Sequence, residues 1–197
     1  MKRRTFFLYP AALFLLSCGQ QKKFDISWVE EVAIGTDEII AVNVRHVYEQ
    51  RGSGSKTLVL LRDTEISFQP KGEARITQYF VRQMPMRLDK INGQWIVIIE
   101  QVSGLTGAES GQDWGGNANM NEQRVIAFNG QKFVPSEFEK IPDERLTPNM
   151  MIWLDSVDEL KTYDGSLISL SNKKEILAAH PLDAAHRDIY RPIGHKQ

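Results

Sequence analysis

From residue 24 onward, apolar side chains recur mainly at every second position, the period of a strand with one buried face. FDISWVEEVAI (24–34) is rich in β-formers. EIIAVNVRHVYEQ (38–50) alternates cleanly and puts Ile40, Val42, Val44, His46 and Tyr48 on one face. β-Branched and aromatic residues at this period predict strands rather than helices. RGSGS (51–55) reads as a turn. KTLVLL (56–61) is an unbroken apolar run and predicts a strand buried on both faces. TEISF (64–68) and ARITQYFVRQ (74–83) continue the series, with PKG as the break between them.

MRLDKINGQWIVIIEQV (86–102) predicts a hairpin. Two β-rich runs flank Asn92-Gly93, a pair that supplies the positive φ angles of a type I′ turn. Similar signals stand at Asn129-Gly130 within 124–134 and at Asp164-Gly165 within 159–170. The three turns lie 37 and 35 residues apart. Only the turns repeat, not the flanking sequence, so the spacing predicts recurring hairpins rather than propeller blades. Helical patterning is sparse. PSEFEKI (135–141) predicts one or two turns. SNKKEILAAH (171–180) predicts a helix capped by Ser171 and stopped by Pro181. The fold class that follows is mainly β: an antiparallel meander forming a sandwich or partly open barrel, with one or two short C-terminal helices.

The first 23 residues depart from this pattern. Lys2, Arg3 and Arg4 precede FFLYPAALFLL (6–16), an apolar run of eleven. A membrane-spanning helix needs about 20 apolar residues. A basic start, a short apolar run and small residues after it have the form of a secretory signal peptide. Leu15-Leu16-Ser17-Cys18 then resembles the lipobox of bacterial lipoproteins, with Leu15, Ser17 and Cys18 matching and Leu16 bulkier than the usual residue. The resemblance covers residues 1–19. It implies cleavage before Cys18, a lipid on the Cys18 sulfur and acylation of the freed amine. Gly19, where an Asp would imply inner-membrane retention, implies the outer membrane of the cell envelope, facing the periplasm. The expected organisation is a signal peptide (1–17), a lipidated end and polar spacer (18–23), and one β-rich domain (24–197) ending in an extended tail (181–197).

Charge and cysteine content narrow the chemistry. Without residues 1–17 the chain keeps 21 basic and 25 acidic side chains, a formal charge of −4. That balance gives no support to nucleic-acid binding. Cys18 is the only cysteine, so disulfides, thiol nucleophiles and Cys-ligated zinc are excluded for the domain after it.

The most unusual segment is SGLTGAESGQDWGGNANMN (103–121), with five glycines and one tryptophan. Long loops of this composition are often functional. Read as a binding loop, it offers Trp114 as an apolar platform, with Asp113, Asn117, Asn119 and Asn121 as polar contacts for a peptide or sugar. The alternative is a plain hairpin connection. Its order of oxygen ligands fails the calcium-loop pattern. It has no Lys for a phosphate cradle. GAESG (107–111) sets Ser110 one step late for a nucleophile elbow. His180, His186 and His195 are spaced too widely for one helical face. Asp155, Asp158 and Glu159 read as a solvated acidic turn, and His46 as a hydrogen-bonded histidine at the core or its rim.

No nucleophile, base and orienting group stand at a recognised spacing, and no metal or other cofactor is expected. The expectation is a non-enzymatic binding or assembly module, held to the bilayer through Cys18, that meets a protein, peptide or glycan partner. The alternative is a lipid-tethered hydrolase acting on envelope polymers.

Overall fold

A computed structural model describes residues 22–51, 58–101, 123–150 and 157–179. Nine strands form two sheets among these residues. The first sheet contains β1 (Lys22–Ile34), β2 (Glu38–Arg51), β3 (Leu58–Phe68), β4 (Ile76–Val81) and the two-residue β9 (Leu167–Ile168), in the order β4-β3-β2-β1-β9. The second contains β5 (Gln83–Ile91), β6 (Gln94–Gln101), β7 (Gln123–Phe128) and β8 (Phe133–Ser136), in that order. Each sheet keeps two edges, so the sandwich is not closed into a barrel. Two short helices, α1 (Val157–Leu160) and α2 (Leu170–Ala179), lie late in the chain.

The period-2 pattern of β2 is realised as read. Ile40, Val42, Val44, His46 and Tyr48 all turn inward and are buried. They join Ile26, Trp28 and Val32 of β1, Ile66 and Phe68 of β3, and Val97 and Ile99 of β6 in one core between the sheets. Residues Trp95 to Glu100 of β6 are buried without a break. Trp95, Val97 and Ile99 face the first sheet, while Ile96 and Ile98 face a second cluster roofed by Phe138 and Ile141. The second sheet is thus covered on both faces, which explains why its central strand reads as a continuous apolar run.

The described part of KTLVLL, from Leu58 on, and TEISF are parts of one strand. Leu60 and Leu61 are both buried, as expected of a run covered on two sides. The pairing of β2 passes from Val47↔Asp63 to Tyr48↔Leu61, leaving Arg62 as a bulge. The bulge has two uses. Arg62 Nε donates to buried Glu49 at 2.6 Å, and the Arg62 carbonyl accepts from Arg82 N–H at 2.7 Å. Arg82, at φ 53°, is the corner where the chain leaves β4 and enters β5 of the other sheet.

Asn92 and Gly93, at φ 51° and 80°, form the expected turn between β5 and β6. Asn129-Gly130 also closes a hairpin, with the Asn129 side chain accepting from Gln131 and Lys132 N–H groups at 3.0 Å. Asp164-Gly165 does not. The residues before it form α1 and a 3-10 turn (Lys161–Tyr163), and those after it form β9, which pairs in parallel with β1. Asp164 Oδ1 accepts from Ser27 N–H at 2.8 Å, and Gly165 N–H donates to the Ser27 carbonyl at 2.6 Å. The pair therefore fastens a late segment to the edge of β1 instead of reversing a hairpin.

Two further expectations are corrected. Lys22 and Lys23, read as spacer, belong to β1 and pair with Gln50 and Glu49. The helix cap is Ser169, not Ser171: Ser169 Oγ accepts from Asn172 N–H at 3.2 Å, and α2 begins at Leu170. Among the described residues no helix is long and apolar enough to cross a membrane.

Candidate functional site

The residues singled out in sequence fall unevenly on this frame. Cys18, Asp113, Trp114, Asn117, Asn119 and Asn121 lie outside the described residues, as do Asp155, His180, His186 and His195. Asp158, in α1, is exposed and bridges Lys161 of the following 3-10 turn at 2.6 Å. His46 is a core residue, 4% exposed. Its Nδ1 lies 3.0 Å from the Tyr48 hydroxyl, and its ring meets Trp28 edge-on at 4.8 Å. Burial pulls its pKa from 6.5 to about 3, so it is neutral at ordinary pH. Burial likewise raises that of Tyr48. Among the described residues, no group of three or more His, Cys, Asp or Glu side chains comes together to hold a metal ion.

The four sheet edges are treated very differently. An unpaired strand edge invites another chain, and proteins commonly blunt it. At β5, Asn149 and Met150 N–H donate to the Met86 carbonyl at 3.1 and 3.2 Å. The Asn149 side chain accepts from Leu88 N–H at 3.0 Å and donates to the Leu88 carbonyl at 2.8 Å. This edge is capped by a strand mimic. A dense buried cluster supports it. Asp89, fully buried, accepts from Arg87, from Arg145 at 3.2 Å and from Gly35 N–H at 3.1 Å. Gly35, at φ 62°, packs so close that a Cβ there would stand 3.4 Å from the Arg145 guanidinium. At β8 the edge is four residues long and contains Pro135, which has no N–H to offer. At β9 it is two residues long.

β4 has none of these devices among the described residues. It is the last strand of its sheet and pairs only with β3. Because Arg82 N–H bonds the Arg62 carbonyl, alternation points the even-numbered residues of β4 at β3. Thr77, Tyr79 and Val81 then turn their N–H and C=O groups outward. The Tyr79 carbonyl accepts 2.6 Å from the side chain of its own neighbour, Gln78. Tyr79 and Val81 are 63% and 58% exposed, on the outer face of the sheet.

The inner side of this edge borders a cleft of about 510 Å³ between β4 and the β7–β8 hairpin. Gln78, Gln83 and Gln123 supply amides, and Ile126, Phe133 and Pro135 supply apolar wall. Among the described residues of its lining, Arg124 is the charged one. Gln101 and Gln123, which bound the 102–122 segment, lie at this end of the second sheet, where Gln83 pairs Gln101 and Gln123 pairs Glu100. The sequence pattern of β4 predicts a strand but carries no mark of an open edge. The available signal was an omission: ARITQYFVRQ has β-formers facing out and no Lys or Pro within the strand.

The chain matches no family model, no curated protein and no solved structure.

Proposed function

We propose that this chain is a membrane-anchored envelope lipoprotein whose β sandwich serves as a non-enzymatic binding or assembly module. The anchor reading rests on the basic start, the short apolar run and Leu15-Leu16-Ser17-Cys18. One acyl chain binds a bilayer only marginally, whereas two or three hold a protein essentially for good. β1 begins at Lys22, so three residues separate Cys18 from the first sheet. That reach is on the order of 14 Å. The module thus works close to the bilayer surface.

The observation that carries the binding reading is the edge of β4, the one described edge without a strand mimic, a proline or a very short strand, bordered by a cleft. Its chemistry suits recognition: outward backbone groups, amide side chains and exposed Tyr79. Two changes test the reading in the producing cell. Cys18→Ala is expected to move the protein out of the membrane fraction. A photo-crosslinking amino acid at position 79 is expected to trap an envelope component, and the same group at the exposed turn residue Gln131 is not. A Cys18→Ala protein that stays in the membrane fraction contradicts the anchor. Equal trapping from both positions, or none, contradicts the binding module.

A further inference from the structure

We propose that the sandwich stands end-on at the bilayer, on the end where β1 starts and β2 stops, and that Lys22 and Lys23 hold negatively charged lipid headgroups there. This rests on the reading of Cys18 as the anchor and adds the contact face and the lipid chemistry. The tether supplies the first argument. Three residues join Cys18 to Lys22, a reach on the order of 14 Å. β1 then runs 13 residues to Ile34, which sets the β1–β2 turn about 40 Å from the start of the strand. The Lys22 end therefore meets the headgroups, and the turn end reaches them only if the sandwich lies flat.

The two lysines supply the second argument and favour the upright stance. Both are exposed, and they pair with Gln50 and Glu49 where β2 runs out. Successive residues of a strand point to opposite faces. The two ammonium groups thus flank β1 and share only the direction of its end. A bilayer met end-on engages both, whereas a sheet face laid flat engages one. Neither lysine forms a salt bridge among the described residues. Acids close to them are already matched. Asp25 is bridged by Arg45 at 2.6 Å, Glu49 by Arg51 and by Arg62 at 2.6 Å, and Asp158 by Lys161, which lies over the Phe24 ring.

Charge at the other end supplies the third argument and selects the lipid. Asp37 and Glu38 stand at the β1–β2 turn, and neither forms a salt bridge among the described residues. The chain after residue 17 carries a formal charge of −4, so an anionic surface repels the body as a whole. It attracts the Lys22 end. In the upright stance Asp37 and Glu38 lie several screening lengths away, each about 8 Å at physiological ionic strength. Lying flat brings them back into range. A lysine near an anionic surface contributes only modestly, so two orient a body that lipid already holds. The stance also keeps the edge of β4 clear of the headgroups. β4 ends at Val81, opposite Asp63, and Asp63 lies about 10 Å along β3 from Val59, which pairs with Gln50.

The test uses the lipidated full-length protein on phosphatidylcholine vesicles, without and with phosphatidylglycerol, that carry a headgroup quencher. A fluorophore is attached at Gln50→Cys, beside Lys22, or at Thr36→Cys, in the far turn. With phosphatidylglycerol present, the label at 50 is expected to be quenched and the label at 36 spared. Lys22→Gln with Lys23→Gln is expected to remove about half or more of that difference, and so is high salt. Thermal melting checks that the variants fold, and Lys22→Gln and Lys23→Gln singly take the place of the pair if it does not. In the producing cell, a photo-crosslinking group at position 50 is expected to label lipid. Equal quenching at the two positions, a difference that survives the lysine replacements, or one as large without phosphatidylglycerol overturns the inference. So does a protein trapped from position 50 in place of lipid. If the protein still floats with the vesicles in those cases, the orientation alone falls; if it does not float at all, the anchor falls with it.

Discussion

At the scale of the residue, His46 shows what the alternating pattern can and cannot reveal. Its place on the inward face of β2 is legible from Val44 and Tyr48 on either side. Tyr48, its hydrogen-bond partner, is two positions away on the same face. Trp28 belongs to another strand and reaches His46 only through the register that pairs Ile26 with His46. The environment fixes the sign of a pH effect. The folded-state pKa, about 3, lies below the unfolded value of 6.5 because burial disfavours the imidazolium. The unfolded chain therefore binds more protons between these values. The stabilisation is fully present above pH 6.5 and is lost as pH falls toward 3. The slope reaches about 1.4 kcal/mol per pH unit, so His46 alone accounts for a loss of about 2 kcal/mol between pH 7 and pH 5. Urea unfolding at the two pH values measures it. His46→Phe keeps a ring against Trp28 and is expected to flatten the dependence by that amount. An unchanged slope contradicts the assignment.

At the scale of the element, most strands were readable and their neighbours were not. Period 2 identifies which face of a strand is buried, but it does not say which strand lies beside it. ARITQYFVRQ identifies β4 as a strand, while its place at the sheet edge depends on where the chain turns at Arg82. Asp164-Gly165 shows the reverse failure. The dipeptide favours a tight turn, yet ELKTY before it forms helical turns, and its partner is the distant edge of β1. Ser169 and Ser171 both suit a cap, and the choice fell to the one preceding the first helical residue. The edge of β5 offers a direct test. Asn149 satisfies Leu88 N–H and C=O and donates to the Ala33 carbonyl at 2.8 Å, joining the two sheets. Asn149→Ala leaves these part-buried groups unmatched and is expected to cost about 2–4 kcal/mol of stability in denaturant unfolding. A loss under about 1 kcal/mol means that water or a shifted backbone replaces the amide and that the cap is dispensable.

At the scale of the whole molecule, the sandwich is held by two apolar clusters and by buried polar pairings at its sides. α2 docks through Ile176, which joins the main core, and through Lys173, whose Nζ lies 3.0 Å from Glu30 and donates to the Asn149 carbonyl at 2.9 Å. Burial lowers the pKa of Lys173, and Glu30 opposes that shift. The candidate binding residues in 103–121 lie outside the described residues; the last residue described before them, Gln101, ends β6, and the first after them, Gln123, begins β7. Among the described residues the edge of β4 is the one left open, and the lipid that Cys18 is proposed to carry would hold it near a bilayer. Amide hydrogen exchange, resolved residue by residue on the full-length protein in detergent, tests that edge most directly. Along β4, the N–H groups of Thr77, Tyr79 and Val81 should exchange quickly and those of Gln78 and Phe80 slowly, while Leu88 at the capped β5 edge stays protected. Slow exchange at Thr77, Tyr79 and Val81, equal to that of their neighbours, would mean that the edge is already filled and would contradict the account.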